Sequence, residues 1–110
     1  AISRLRHLAE LALQSAQELI KCVECASTIT RSDIRDDLDE FMTALERLMA
    51  IEHNADDALR AFRRWLLEEP CDQRQIMVLR ELSQALETTT DAYTHAGQAL
   101  RAYLMEEVIA

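Results

Sequence analysis

Glycine and proline are nearly missing from this chain, one of each in 110 residues. That scarcity removes the turn chemistry on which hairpins and short strands depend. Aromatic residues are also few, at 5%. Three cysteines are too few and too odd in number for a disulfide framework, which points to a reducing, cytoplasmic setting. No apolar run reaches the roughly 18 residues that a membrane-crossing helix needs, and no segment has the pattern of a secretory signal. Basic residues number 12 against 20 acidic, for a net charge of -8. With no basic face to meet a phosphate backbone, nucleic-acid binding is not expected.

What is abundant is Ala, Leu, Glu, Arg and Gln, the strong helix formers. The length suits one domain with one core, and an all-α fold follows. Apolar residues keep helical spacing from about Ser3 to Ala26, through Leu5, Leu8, Ala12, Ala16, Leu19, Ile20 and Val23. The hydroxyl-rich, β-branched stretch Ser27–Ser32 reads as a loop, with Ser32 or Asp33 as the next N-cap. A second helix spans about Asp33 to Glu68. Its seam runs Ile34, Leu38, Phe41, Leu45, Leu48, Glu52, Ala55, Leu59, Phe62 and Leu66, in alternating steps of three and four. Pro70 ends this helix, and Asp72 with Gln75 forms a capping-box signature. A third helix covers about residues 73–108 through Ile76, Leu79, Leu82, Leu86, Tyr93, Leu100, Tyr103 and Leu104. Met42, Met49, Met77 and Met105 fall among core-like positions, and Trp65 reads as a packing residue. Short connections predict an antiparallel, up-down-up three-helix bundle occupying residues 1–110 as a single domain. The chain opens on Ala1 rather than Met, as a piece of a longer polypeptide would.

Cys22 and Cys25 make a C-x-x-C pair, but they close a helix instead of opening one, and no second pair completes a zinc site. They read as small packing residues. Glu52 is the single break in the second seam, a carboxylate where a leucine belongs. It begins Glu52-His53-Asn54-Ala55-Asp56, and Glu87-Thr88-Thr89-Thr90-Asp91 repeats the Glu-x-x-x-Asp spacing on the third helix. Residues four apart share a helix face, and like charges there repel, so a cation would relieve both pairs. Measured from the turn near residues 70 and 71, the two motifs sit at heights differing by about 3 Å. Leu5, His7 and Glu10 fall near that level, and His95 lies one turn beyond Asp91. Glu52, Asp56, Glu87 and Asp91 are therefore the candidate metal ligands, with His95, His7, Glu10 and His53 as further candidates. Oxygen-rich sets with imidazole suit iron, manganese or zinc, and an all-carboxylate set suits magnesium or calcium. The Thr88–Thr90 hydroxyls are candidate supporting donors. A pair of solvated acidic faces without metal is the plain alternative.

Ile51-Glu52-His53-Asn54-Ala55-Asp56 resembles the [I/L]-E-x-E-A-D turn of PhoU-like phosphate-transport regulators, the accessory proteins of Pit-type permeases. Leu86-Glu87-Thr88-Thr89-Thr90-Asp91 is similar to the L-E-x-x-T-D turn on their next helix. The resemblance covers the chain as one three-helix repeat, with Asn54 standing where the family has a second acidic residue. It implies a non-enzymatic accessory module of inorganic phosphate transport, iron or zinc on Glu52, Asp56, Glu87 and Asp91, and docking to a permease or sensor. It also implies pairing with a second repeat or a second copy. Three other readings stand beside it. A ferritin-like di-metal carboxylate protein needs Glu-x-x-His turns, which neither Glu52 nor Glu87 begins. A histidine phosphotransfer bundle on His53 or His95 lacks a following Lys-Gly. The third is a metal-free helical interaction domain.

Overall fold

The computed structural model describes residues 2–29, 34–69 and 72–109. Their regular structure is helical throughout, in α1 (Ile2–Ile29), α2 (Ile34–Glu68) and α3 (Gln73–Tyr103), and α3 runs into a π-helical turn at Leu104–Ile109. No strand occurs among the described residues. Each helix packs on the other two, giving a rod of 57 × 19 × 16 Å. None of the described helices is long and apolar enough to cross a membrane.

The α2 boundary at Glu68 and the start of α3 agree with the sequence reading. The capping box is formed: Gln75 N donates to Asp72 Oδ1 at 2.8 Å, and Asp72 N donates to Gln75 Oε1 at 3.2 Å. The expected cap at Ser32 or Asp33, the helix-ending Pro70 and the Ile34 side chain lie outside the described residues. The end of α1 differs from expectation, because the helix continues through Ser27, Thr28 and Ile29. Ser27 Oγ donates to the Glu24 carbonyl at 2.7 Å and Thr28 Oγ1 to the Cys25 carbonyl at 2.8 Å, so both hydroxyls are absorbed by the helix. Ile29 is then buried in the core, which outweighs its weak helix propensity. The Cys22–Cys25 pair consequently sits inside a helix, not at its end.

The α2 seam is buried from Phe41 through Leu45, Leu48, Ala55, Leu59 and Phe62 to Leu66. Glu52 divides it. On one side a cluster gathers Cys22, Ile29, Phe41, Leu45, Leu48 and Leu104, and on the other Leu8, Leu59, Phe62 and Leu66 gather. The buried side of α3 is unlike the apolar ladder expected of it. Ser83, Thr90, Thr94 and Gly97 are the buried residues, whereas Leu82 and Tyr103 are exposed. Small residues let α3 approach α2 closely: a Cβ on Gly97 would lie 2.8 Å from Leu48 Cδ2 and 3.0 Å from Leu45 Cδ1. Ile20 and Val23 of α1 and Met49 and Met77 also face outward, contrary to their core-like spacing.

Candidate functional site

The register of the helices follows from named pairs. On α2 and α3, Arg63 Nη2 donates to Gln84 Oε1 at 3.3 Å and to Glu87 Oε2 at 3.1 Å. Further along, Glu52 and Asp56 meet Asp91, and Leu45 and Leu48 meet Gly97. On α1 and α2, the Arg4 guanidinium lies 5.5 Å from the centroid of a Trp65 ring, and Cys25 shares a cleft with Glu40. Midway between those two α1–α2 pairs, Ser15 falls level with Glu52 by helical rise alone. The middle of the rod is therefore a polar layer between two apolar clusters.

One ligand oxygen each from Glu52, Asp56 and Asp91 lies within 4.8 Å of the others, and all three residues are half-buried. Burial pushes the Glu52 carboxyl above its ordinary range. The Asp56 charge, a side-chain hydrogen bond to Asp56 and the Asp91 charge push it further, against a smaller opposing pull from His53. The ion pairs of the described residues join Lys21 to Glu18, Arg60 to Asp57 and Arg63 to Glu87, so none of them neutralises the three carboxylates. Ser15 is fully buried, hence turned to the bundle interior, and its Oγ has no hydrogen-bond partner.

Of the four carboxylates expected together, Glu87 stands apart. It shares a face with Asp91 but lies one turn nearer the α2–α3 connection, where Arg63 is its neighbour at 3.1 Å. A narrow cleft lined by Asp56, Glu87, Ser83 and Thr90 separates it from the trio. His7 lines a cleft with Asn54, Asp57 and Ala58. That is the flank of α2 turned to α1, whereas Asp56 occupies the flank turned to α3. His7, Glu10, His53 and His95 are all exposed, and none joins the trio's grouped oxygens. The threonine hydroxyls serve their own helix. Thr88, Thr89 and Thr90 donate to the carbonyls of Gln84, Ala85 and Leu86, and Thr90 also to that of Glu87. They are backbone-bonded instead of acting as supporting donors.

The feature that sequence reasoning missed is Ser15, whose only signal was a hydroxyl in the otherwise apolar and alanine seam of α1. The cysteine pair carries no reactive thiol. Burial, then the charges of Cys25 and Glu18, raise Cys22 to about 11. Burial followed by Glu40 and Asp37 raises Cys25 as well. Both remain protonated and packed, as the sequence suggested. Comparison with protein-family models, curated proteins and solved structures finds no match to this chain.

Proposed function

We propose that this chain is a non-enzymatic helical accessory module in which Glu52, Asp56 and Asp91 hold one divalent cation, tying α2 to α3. The observation that carries this reading is three carboxylates gathered within 4.8 Å across two helices, with no Lys or Arg paired to them among the described residues. Oxygens so spaced suit a cation with metal–oxygen distances of about 2.0–2.6 Å. The unpartnered Ser15 Oγ at the same level adds a further oxygen. An all-oxygen set without imidazole favours magnesium, calcium or manganese over zinc. It also counts against a ferritin-like di-metal centre, which needs two Glu-x-x-His turns.

The helix order is antiparallel, up-down-up. The α2–α3 pairs support this, since Arg63 lies by Glu87, Asp56 by Asp91 and Leu48 by Gly97. The two carboxylate turns support a role like that of PhoU-like regulators, in the cytoplasm beside an inorganic phosphate permease or sensor. Free, protonated Cys22 and Cys25 are consistent with that compartment.

Titration calorimetry and thermal melting with magnesium, calcium and manganese test the cation. At a hundredfold excess over Kd, binding adds about 2.7 kcal/mol of stability, and Glu52→Gln or Asp91→Asn abolishes that gain. A flat titration up to millimolar metal, with melting unchanged by chelator, removes the cation from this reading. Unaltered phosphate uptake in cells lacking the protein removes the transport role.

A further inference from the structure

The two outer helices each carry a second apolar row beside the one that faces the core. On α1 the interior row is Leu8, Ala12, Ser15, Leu19 and Cys22, and the residues one position later form another: Ala9, Leu13, Ala16, Ile20 and Val23. On α3 the second row lies one position earlier than the buried Ser83, Thr90 and Gly97, through Val78, Leu82, Ala85, Ala92 and Ala96 to Tyr103. Both rows keep alternating steps of three and four, the spacing of a helix–helix seam, and neither contains a charged residue. Leu13, Ile20 and Val23 are 59%, 55% and 53% exposed, so the first row has no cover within the chain.

Contacts show which way the rows turn. Arg4, His7 and Leu11 of α1 line a cleft with α2, and Lys21 and Cys25 line another. These residues precede the α1 interior row by one position. The second row follows it by one position, so it turns roughly 100° the other way, off α2. On α3 the residues that follow the interior row reach α2, as Glu87 does to Arg63 and Asp91 to Glu52 and Asp56. The row that precedes it also turns away from α2. Both rows thus open on the same side of the rod, opposite α2, as one uncharged face.

We propose that this face is the interface with a second copy of the same chain, α1 of one copy lying against α3 of the other. Two observations select that occupant. The α1 row is bulky at Leu13, Ile20 and Val23, while α3 at the corresponding levels offers Ala85, Ala92 and Ala96, so each copy supplies the ridge that fills the other's trough. The face also has the right size. Val78 to Tyr103 spans about 38 Å of helix, and the rod is 16 to 19 Å across. That gives roughly 600–700 Å² per copy, or about 1,200–1,400 Å² in total, within the range of specific interfaces. The proposal is independent of the cation, which sits on the opposite flank of α3.

Light scattering and sedimentation from about 1 to 200 µM test it, since that range brackets ordinary dimer affinities. The expected species is a dimer of twice 12.6 kDa. Leu13→Glu with Ile20→Glu, and separately Ala92→Glu, are expected to weaken dimerisation at least tenfold with helical circular dichroism unchanged. Leu67→Glu, on the exposed end of α2 and outside the face, is expected to leave it intact. A wild-type chain that is monomeric throughout the range overturns the proposal. So does a dimer indifferent to the α1 pair or to Ala92→Glu, or one that Leu67→Glu dissociates.

Discussion

The two ends of the rod share one α2 seam yet are built differently. The end around Phe41 draws buried residues from α1, α2 and the π-helical turn, including Cys22, Ile29, Leu45, Leu48 and Leu104, and Gly97 lets α3 close on the leucines. The end around Phe62 has four fully packed residues, with Leu79, Leu86 and Trp65 only half-covered. Its outer shell is an Arg4–Trp65 cation–π contact and the Phe62–Trp65 ring pair, with centroids 5.7 Å apart. A regular seam on one helix therefore does not settle how deep a core becomes. The partner helices do, through the size of what they present. A small residue on α3 permits close approach, whereas half-exposed large residues leave the end looser.

Cavity-forming substitutions break this contrast most directly. Phe41→Ala is expected to cost about 4–5 kcal/mol in chemical denaturation, and Phe62→Ala about 3 kcal/mol, because half-exposed neighbours collapse more readily. Equal losses would dissolve the distinction between the ends. Overpacking comes next. Gly97→Leu forces Leu45 and Leu48 aside and should destabilise by about 1–3 kcal/mol. A melting temperature at or above wild type would show that the close approach is not tight.

The smallest effect lies between the ends. Glu52→Gln removes a carboxylate held against Asp56 and Asp91 and, without metal, should stabilise by about 0.5 kcal/mol at neutral pH. The sign follows from the raised pKa of Glu52. The fold favours its protonated form, so that contribution is fully present below the unfolded value near 4.5 and is lost as pH rises through the higher folded value. The advantage of the glutamine variant should accordingly shrink as pH falls through that window. A pH-independent difference, or a loss of stability at neutral pH in chelator, would contradict the electrostatic account.

Much of this was legible in the residues. The helix count, the α2 seam, the break at Glu52 and the capping box at Asp72 all follow from spacing and residue type. The end of α1 was hidden because Ser27 and Thr28 satisfy their hydroxyls within the helix and burial of Ile29 repays its poor propensity. The buried side of α3 was hidden for another reason. Ser83, Thr90, Thr94 and Gly97 occupy core positions by smallness, which a search for large apolar residues passes over. Placing Glu87 with the trio required knowing that Arg63 lies beside it, a fact of register and not of spacing.

The carboxylate in the middle of α2 has a further consequence, for conformations the chain avoids. A seam that repeats every seven residues is nearly self-similar, so α2 sliding by one repeat would still offer large apolar residues to both ends. Glu52 removes that degeneracy. A slip in either direction would carry it from the polar level of Ser15 and Asp91 into a leucine and phenylalanine cluster, where burying a charge is costly. A polar residue at one seam position is a recognised way to select a single alignment at some expense in stability. Glu52 thus acts as an index mark along the rod, and the carboxylates it meets stay opposite one another because only that alignment keeps it out of the apolar ends.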